Sequence, residues 1–248
     1  MIKLTKGVAL LHFGRTGSTL VASMISQNKL FYNDGEVFEK VRTGTLLLSS
    51  IFKTEPERIL KKRRQKFFYR DYLVSIKPIP EEHLRDNLLN MSYPKLIQTL
   101  KSANIDKYII IKRKNYLLQV LSGKLAQEWK KYHFREGEKA ESIKVRIDVK
   151  DFRFGTFKGE LIDLFKRFDA YYDEMINGTP KALLITYEDD IEHDPFIAYD
   201  KIKSYLNLGK ERPKIILSKS NTFKNEDVIE NYGDVIKYLR GTPYEWML

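Results

Sequence analysis

The stretch His12–Gln27, HFGRTGSTLVASMISQ, decides how the rest of the chain is read. Ahead of its glycines, Gly7–Phe13 (GVALLHF) is a short apolar run, the pattern of a buried strand. Behind them, Leu20, Val21, Met24 and Ile25 recur at the spacing of one helical face between Ser18 and Asn28. Gly14-Arg15-Thr16-Gly17-Ser18-Thr19 lies between the two. A strand, a tight glycine loop and a helix that begins at small hydroxyl residues form an anion site for a physical reason. The first turn of the helix leaves N–H groups without partners, and the helix dipole adds partial positive charge there. Gly14 and Gly17 let the backbone bend around a phosphate, Ser18 and Thr19 can donate hydroxyl hydrogen bonds, and Arg15 brings a permanent forked cation. A nucleotide triphosphatase loop has four residues between its glycines and then a lysine. This loop has two and no lysine, which counts against hydrolysis of ATP or GTP. The plainer reading is a strand-to-helix turn in which Ser18 only caps the helix.

Working outward, Leu30–Phe38 is mixed and holds a second strand or its end. Thr54 and Glu57 have capping-box spacing for a helix that runs into Lys61-Lys62-Arg63-Arg64. Tyr93–Ser102 reads as a helix, Lys107–Lys112 (KYIIIK) as a strand, and Asn115–Lys131 as a helix with Leu118, Leu121, Leu125 and Trp129 near one stripe. A helix at Phe157–Met175, a buried strand at Ala182–Tyr187 and a helix opening at Asp194-Pro195 follow. A last helix begins at Asn225 as N-cap and stops at Gly241. Strands alternating with helices predict an α/β, P-loop-like, three-layer fold: a central, mainly parallel sheet flanked by helices. The alternation breaks between about 44 and 90, where a helical insertion shaping an acceptor site is expected within one domain spanning 1–248.

At 248 residues the chain is long enough for one α/β domain with a sizeable core. Its 42% hydrophobic and 31% charged residues are ordinary for a globular protein. No apolar run approaches the ~18 residues of a membrane span, and the opening lacks the cleavage pattern of a signal peptide. The absence of cysteine excludes disulfides, cysteine zinc sites and thiol catalysis and fits a cytoplasmic protein. The 44 basic and 33 acidic residues give a net charge of +11, a field that attracts anions without naming one.

A second element bears on which anion. The strand ending at Lys112 runs into Arg113, and the following helix carries Ser122 nine positions later. An arginine leaving the carboxyl end of a strand, with a hydroxyl on the next helix, can hold a second phosphate, because ligands of such sheets collect outside the carboxyl ends of the strands. Taken singly, each residue is read more simply as a solvated charge and a helix-surface hydroxyl.

With these pieces in place, the chain resembles the sulfotransferases that use 3′-phosphoadenosine-5′-phosphosulfate (PAPS), in particular their bacterial carbohydrate-type branch. GRTGSTLV is similar to the family's 5′-phosphosulfate loop, RKNYLLQVLS to its 3′-phosphate motif, and NDGEVF to the stretch that carries a catalytic glutamate in that branch. LITYEDDIEHDP and VIENYGDVIKYLRGTPYE resemble later segments. The likeness covers the first forty residues, roughly 106–129, and much of the chain after Lys181. It implies that Arg15, Thr16, Gly17, Ser18 and Thr19 hold the 5′-phosphosulfate and that Arg113 and Ser122 hold the 3′-phosphate. It also implies transfer of a sulfuryl group to a hydroxyl on a carbohydrate or similar small acceptor, anionic acceptors included, with PAP as product and no metal required. The Arg-Lys-Gly segment of the cytosolic relatives is absent. Leu217-Ser218-Lys219-Ser220-Asn221 stands there instead, with Lys219 as a candidate phosphate ligand.

Such a transfer asks for in-line placement, stabilisation of charge on the leaving phosphate and removal of the acceptor proton. Arg15 and the loop N–H groups suit the second task, and Glu36, two residues after Asp34 across Gly35, is the candidate base. A carboxylate near its usual pKa of ~4.3 is a poor base for an alcohol, so partial burial is expected of it. In the plainer reading Asp34-Gly35 is a turn and Glu36 a surface charge. His12 reads as packed, His133 as a solvated helix end, and His83 and His193 as residues of polar helices and turns, with no metal-ligand spacing among the four. Lys61–Arg70 (KKRRQKFFYR) invites a nucleic-acid reading. The preferred reading is a helix with a solvated charged face whose Phe67 and Phe68 enter the core. A P-loop kinase and a basic nucleic-acid-binding module are the rivals to the sulfotransferase reading.

Overall fold

Strand β1 (Gly7–His12) is buried along its whole length and lies at the centre of a five-stranded sheet. It has no polar residue before His12, as a strand covered on both faces requires. The computed structural model of the chain describes residues 5–43, 55–85, 89–135, 137–138, 140–218 and 223–248. After β1 come α1 (Ser18–Ser26), β2 (Phe31–Asn33), α2 (Val37–Arg42), α3 (Pro56–Lys66), β3 (Asp71–Ile76), α4 (Tyr93–Ser102) and β4 (Lys107–Lys112). They are followed by α5 (Tyr116–Glu128), β5 (Phe134–Arg135), β6 (Phe152–Phe154), β7 (Phe157–Gly159), α6 (Leu161–Gly178), β8 (Leu183–Thr186) and α7 (Pro195–Leu206). The last elements are β9 (Leu217–Ser218), α8 (Asn225–Val228) and α9 (Tyr232–Leu239).

The chain divides into two compact units. The first comprises the residues up to Lys112 together with Asp173–Lys214, and the second comprises Arg113–Tyr172 with Ile215–Leu248. The first unit holds the sheet, in the order β2-β3-β1-β4-β8 with every pairing parallel. This is the α/β, helix-flanked parallel sheet that the alternating pattern predicts. Leu11 pairs with Ile76 on one side and Ile110 on the other, so the carboxyl ends of β1, β3 and β4 finish together. α1 packs on β1, β2 and β3 and against α7. Gly7 is obligatory at the start of β1, since a Cβ there would lie 2.1 Å from the Asn104 carbonyl oxygen.

In the second unit, Asn115 caps α5 by accepting a hydrogen bond from the Leu118 N–H at 2.8 Å. The Asp169 carboxylate accepts from the hydroxyls of Tyr116 and Tyr244 at 2.7 and 2.8 Å, and Tyr116 stacks on Tyr172. Burial and the Asp169 charge push both tyrosine hydroxyls well above their usual range, so both remain donors. Gly123 in mid-helix faces Phe154, where a Cβ would sit 2.6 Å from the ring.

Four expectations change. The stretch 44–90, read as a helical insertion, contains α3 but also β3, a fully buried strand between β1 and β2. Its Asp71 and Ser75 interrupt the apolar run, and the cations just before it mask the strand. Residues 44–54, with Gly44 and Thr54, lie outside the described residues, and α3 starts at Pro56. Phe157 to Gly159 is a strand of a hairpin, so the helix expected from Phe157 begins at Leu161. The strand at 183–186 is an edge rather than buried, with Leu184 40% exposed, and the last helix breaks into α8 and α9.

Candidate functional site

Because the five strands are parallel, their carboxyl ends lie along one edge of the sheet. The loop 13–17 leaves β1 at that edge. Gly14 and Gly17 both have φ of 81°, and Arg15 between them has φ of 54°, a left-handed conformation that costs a non-glycine residue strain. The Gly14 N–H donates to Nδ1 of His12 at 3.1 Å, which bends the chain sharply out of the strand. Gly17 is the N-cap of α1. It offers no side chain to the first turn, and the first turn carries no acidic residue. The N–H groups that start α1 are therefore left without a side-chain cap. A side chain at Gly17 would meet Tyr187 and Ile191 at 3.1 Å, so the turn after β8 closes down on the loop. That turn, Tyr187–Ile191, is tied by Asp190, which accepts from the Thr186 N–H at 2.8 Å and from Lys201 at 2.7 Å.

The Thr16 side chain is fully buried, and its hydroxyl has no hydrogen-bond partner among the described residues. Buried hydroxyls are almost always satisfied. An orphan in a glycine loop at an uncapped helix start fits a loop built for an oxyanion. Ser18 is buried and Thr19 exposed at the same helix start.

Glu36 follows β2 at the same edge. Its carboxylate pairs with Lys77 at 2.7 Å, and both side chains are partly exposed, at 34% and 28%. Lys77 is the first residue after β3, and its Cε lies 3.8 Å from where a Cβ of Gly14 would be. Lys77 thus brings Glu36 and the loop together. Phe38, Arg42, Ser75 and His83 line a narrow cleft with the pair. Sequence reasoning missed Lys77 because it missed β3. A strand assigned to DYLVSI would have put a lysine at a carboxyl end next to β1.

The turn that carries Glu36 is held by a buried ion pair. Asp34 is wholly buried, and its carboxylate accepts from Arg63 Nε at 2.8 Å, Arg63 Nη2 at 2.5 Å and the Tyr72 hydroxyl at 2.6 Å. Lys40 lies 3.7 Å away and donates to the Asp34 carbonyl. Hydrogen bonding to Asp34 raises the pKa of Arg63, while burial and the Asp34 charge raise that of Tyr72. Arg63 stays charged and Tyr72 protonated. Arg64, also buried, donates to the carbonyls of Thr5 and Arg70. Phe67 stacks on Tyr32, whereas Phe68, expected in the core, is 73% exposed.

His12, read as packed, is 1% exposed, and burial, then the charges of Lys77 and His83, lowers its pKa to about 3. It is neutral at ordinary pH. Since Nδ1 accepts from Gly14, Nε2 carries the proton, and Nε2 has no partner among the described residues.

Arg113 and Ser122 belong to the second unit, both 6% exposed. Arg113 directly follows β4, where its N–H donates to the Tyr172 hydroxyl at 3.3 Å, and Ser122 sits in α5. Lys219, Ser220 and Asn221 lie outside the described residues.

No protein-family model matches the chain, and no curated protein matches it in sequence. Among solved structures, the chain is similar to mouse sulfotransferase SULT7A1 complexed with PAP, at 13% identity and a TM-score of 0.44, covering 100% of this chain and 77% of that one.

Two outcomes follow from the buried groups. Arg63→Met strands the Asp34 charge and should destabilise the protein by about 3–5 kcal/mol in denaturant unfolding, with part of the loss recovered when Asp34→Asn is added. A single-variant loss below about 1 kcal/mol would remove the ion pair from this role. The depressed pKa of His12 means that the unfolded chain takes up a proton below its ordinary 6.5 while the folded chain does not. Stability is therefore full above that pH and falls as pH drops toward the folded value. From pH 7 to about pH 5 this group contributes a loss of about 2 kcal/mol. His12→Gln should flatten the melting temperature over that interval; a slope equal to wild type would exclude His12 as its source.

Proposed function

We propose that this chain is a sulfotransferase that moves a sulfuryl group from PAPS to a hydroxyl of a carbohydrate or similar small acceptor, working in the cytoplasm. The observation that carries the proposal is the loop after β1: two left-handed glycines, an uncapped helix start and a buried, unpartnered Thr16 hydroxyl. These are groups that satisfy a single tetrahedral oxyanion by backbone and hydroxyl donation.

In this reading Arg15, Thr16, Gly17, Ser18 and Thr19 hold the 5′-phosphosulfate, and Arg15 with the loop N–H groups stabilises negative charge as it grows on the leaving phosphate. Arg113, Ser122 and Lys219 hold the 3′-phosphate, an assignment that rests on the sequence resemblance. When bound, PAPS supplies an activated sulfuryl group and a bisphosphate leaving group. Glu36 accepts the proton of the acceptor hydroxyl. Lys77, ion-paired with Glu36 and lying against Gly14, holds that carboxylate beside the loop. His12 fixes the bend of the loop through Gly14 and remains neutral.

The test is thermal unfolding with 3′,5′-adenosine bisphosphate, with AMP, and with ATP plus magnesium. At ~100 times its dissociation constant the bisphosphate should stabilise the fold by about 2.7 kcal/mol, several degrees at this size, and Arg113→Ala should lose that stabilisation. Response to ATP with magnesium alone would hand the site to a kinase. Response to none would remove the two-phosphate site. Glu36→Gln should keep bisphosphate binding while transfer falls by at least ~100-fold. Normal turnover by this variant would exclude Glu36 as the base.

A further inference from the structure

The opposite edge of the sheet carries a feature that the proposed chemistry does not use. Phe68 and Tyr69, at 73% and 66% exposure, are the two most exposed large apolar side chains among the described residues. They stand in the turn between α3 and β3, and Leu30, at 51%, stands just before β2. Hydrogen bonds join the two segments. The Asp71 N–H donates to the Leu30 carbonyl at 2.8 Å, and Arg70 donates to the carbonyls of Lys29 and Phe31 at 2.9 and 2.5 Å. The turn itself is pinned, since Phe67 stacks on Tyr32 and Thr5 donates to the Phe68 carbonyl at 3.2 Å. An apolar cluster is thus held out into solvent by a rigid base.

The charge that the preceding segment exposes is basic, since Asp71, the acidic residue at the base of the cluster, is buried and accepts from the Lys6 N–H at 2.7 Å. Lys61–Arg70 contains six cations and no acidic residue. Arg63 and Arg64 are consumed inside the fold, and Lys61 pairs with Glu57 at 2.6 Å. Lys66, Arg70 and Lys29 lie in the segments that bear the cluster, and the acceptors of the Arg70 guanidinium named above are neutral carbonyls, which leave its charge uncompensated.

We propose that Leu30, Phe68 and Tyr69, with Lys29, Lys66 and Arg70, form a docking face for an anionic lipid surface. Exposed aromatic and aliphatic tips within a basic rim match the acyl boundary and the headgroup layer together. Nucleic acid fits less well. The Phe68 and Tyr69 rings stand at 89° to each other, so they give successive bases no parallel platform, and Leu30 gives a base no stacking face. The face lies at the amino ends of β2 and β3, while Glu36, Lys77 and the glycine loop lie at the carboxyl ends of the strands, on the order of 20 Å away for a six-residue strand. Docking therefore leaves the candidate site open to solvent.

Flotation of the purified chain with phosphatidylcholine vesicles, with and without about 30% phosphatidylserine, tests this at low salt. The chain should float with the anionic vesicles only. Phe68→Ser with Tyr69→Ser should lower partitioning at least about tenfold, and Lys29→Glu with Lys66→Glu by about tenfold or more, both with wild-type melting temperatures. Phe68→Trp provides a separate reading, since its fluorescence should be quenched by lipids brominated near the headgroup boundary. Absence of flotation, flotation of either double variant at the wild-type level, or an unquenched tryptophan at position 68 overturns the proposal. Retention of single-stranded RNA that the same variants lose, without vesicle binding, transfers the face to nucleic acid.

Discussion

A carboxylate without solvent at the carboxyl end of β2 is the constraint on which this edge of the sheet depends. Burying a carboxylate is costly unless opposite charge and hydrogen bonds replace its water, and Arg63 and Tyr72 supply both to Asp34. The consequence is architectural. Arg63 comes from the last turn of α3 and Tyr72 from β3, so one carboxylate ties the turn after β2 to the helix and to the neighbouring strand. Glu36 sits two residues beyond this anchor and inherits its position. An apolar replacement of the same volume would stabilise the fold about as well, but it would not fix the direction in which the turn leaves the strand.

The second constraint is the loop after β1. Two glycines and one arginine in left-handed conformations, an uncapped helix start, a buried hydroxyl and a buried imidazole N–H are all unfavourable in isolation. They persist because β1 is gripped on both sides and because Tyr187 and Ile191 close over Gly17. Local cost set against a rigid frame is what a preorganised anion cradle requires. Under the proposed function, these donors are already in place, so a bound anion does not have to order them.

Much of this was legible in the sequence, and the failures have physical causes. β4 and α4 were read to the residue, since KYIIIK and the amphipathic run Tyr93–Ser102 each carry an unmixed period. The strand–loop–helix at 7–26 was legible because its glycines and apolar runs are local signals. β3 was not, because its burial comes from lying between two other strands, while Asp71 and Ser75 break its apolar pattern. Losing β3 hid Lys77, and with it the contact that joins Glu36 to the loop. Phe68 was misplaced for a related reason. Read as part of a helix with one solvated face, Phe67 and Phe68 both turn to the core, but α3 ends at Lys66, and in the turn that follows Phe67 stacks on Tyr32 while Phe68 points to solvent.

The missing loop lysine looks different once β3 is in place. A triphosphate loop carries its cation on its own helix start, where the charge is unshared and reaches the terminal phosphates. Here the lysine near the loop comes from the adjacent strand, and it is already paired with a carboxylate at 2.7 Å. The net charge that Lys77 and Glu36 together bring to the loop is close to zero, which leaves Arg15 and the backbone dipoles to carry the attraction for an anion. Such a balance suits a single oxyanion with a proton acceptor beside it better than a magnesium-bound triphosphate. Under the proposed function, that pair sets the carboxylate that takes the hydroxyl proton beside the loop that holds the anion.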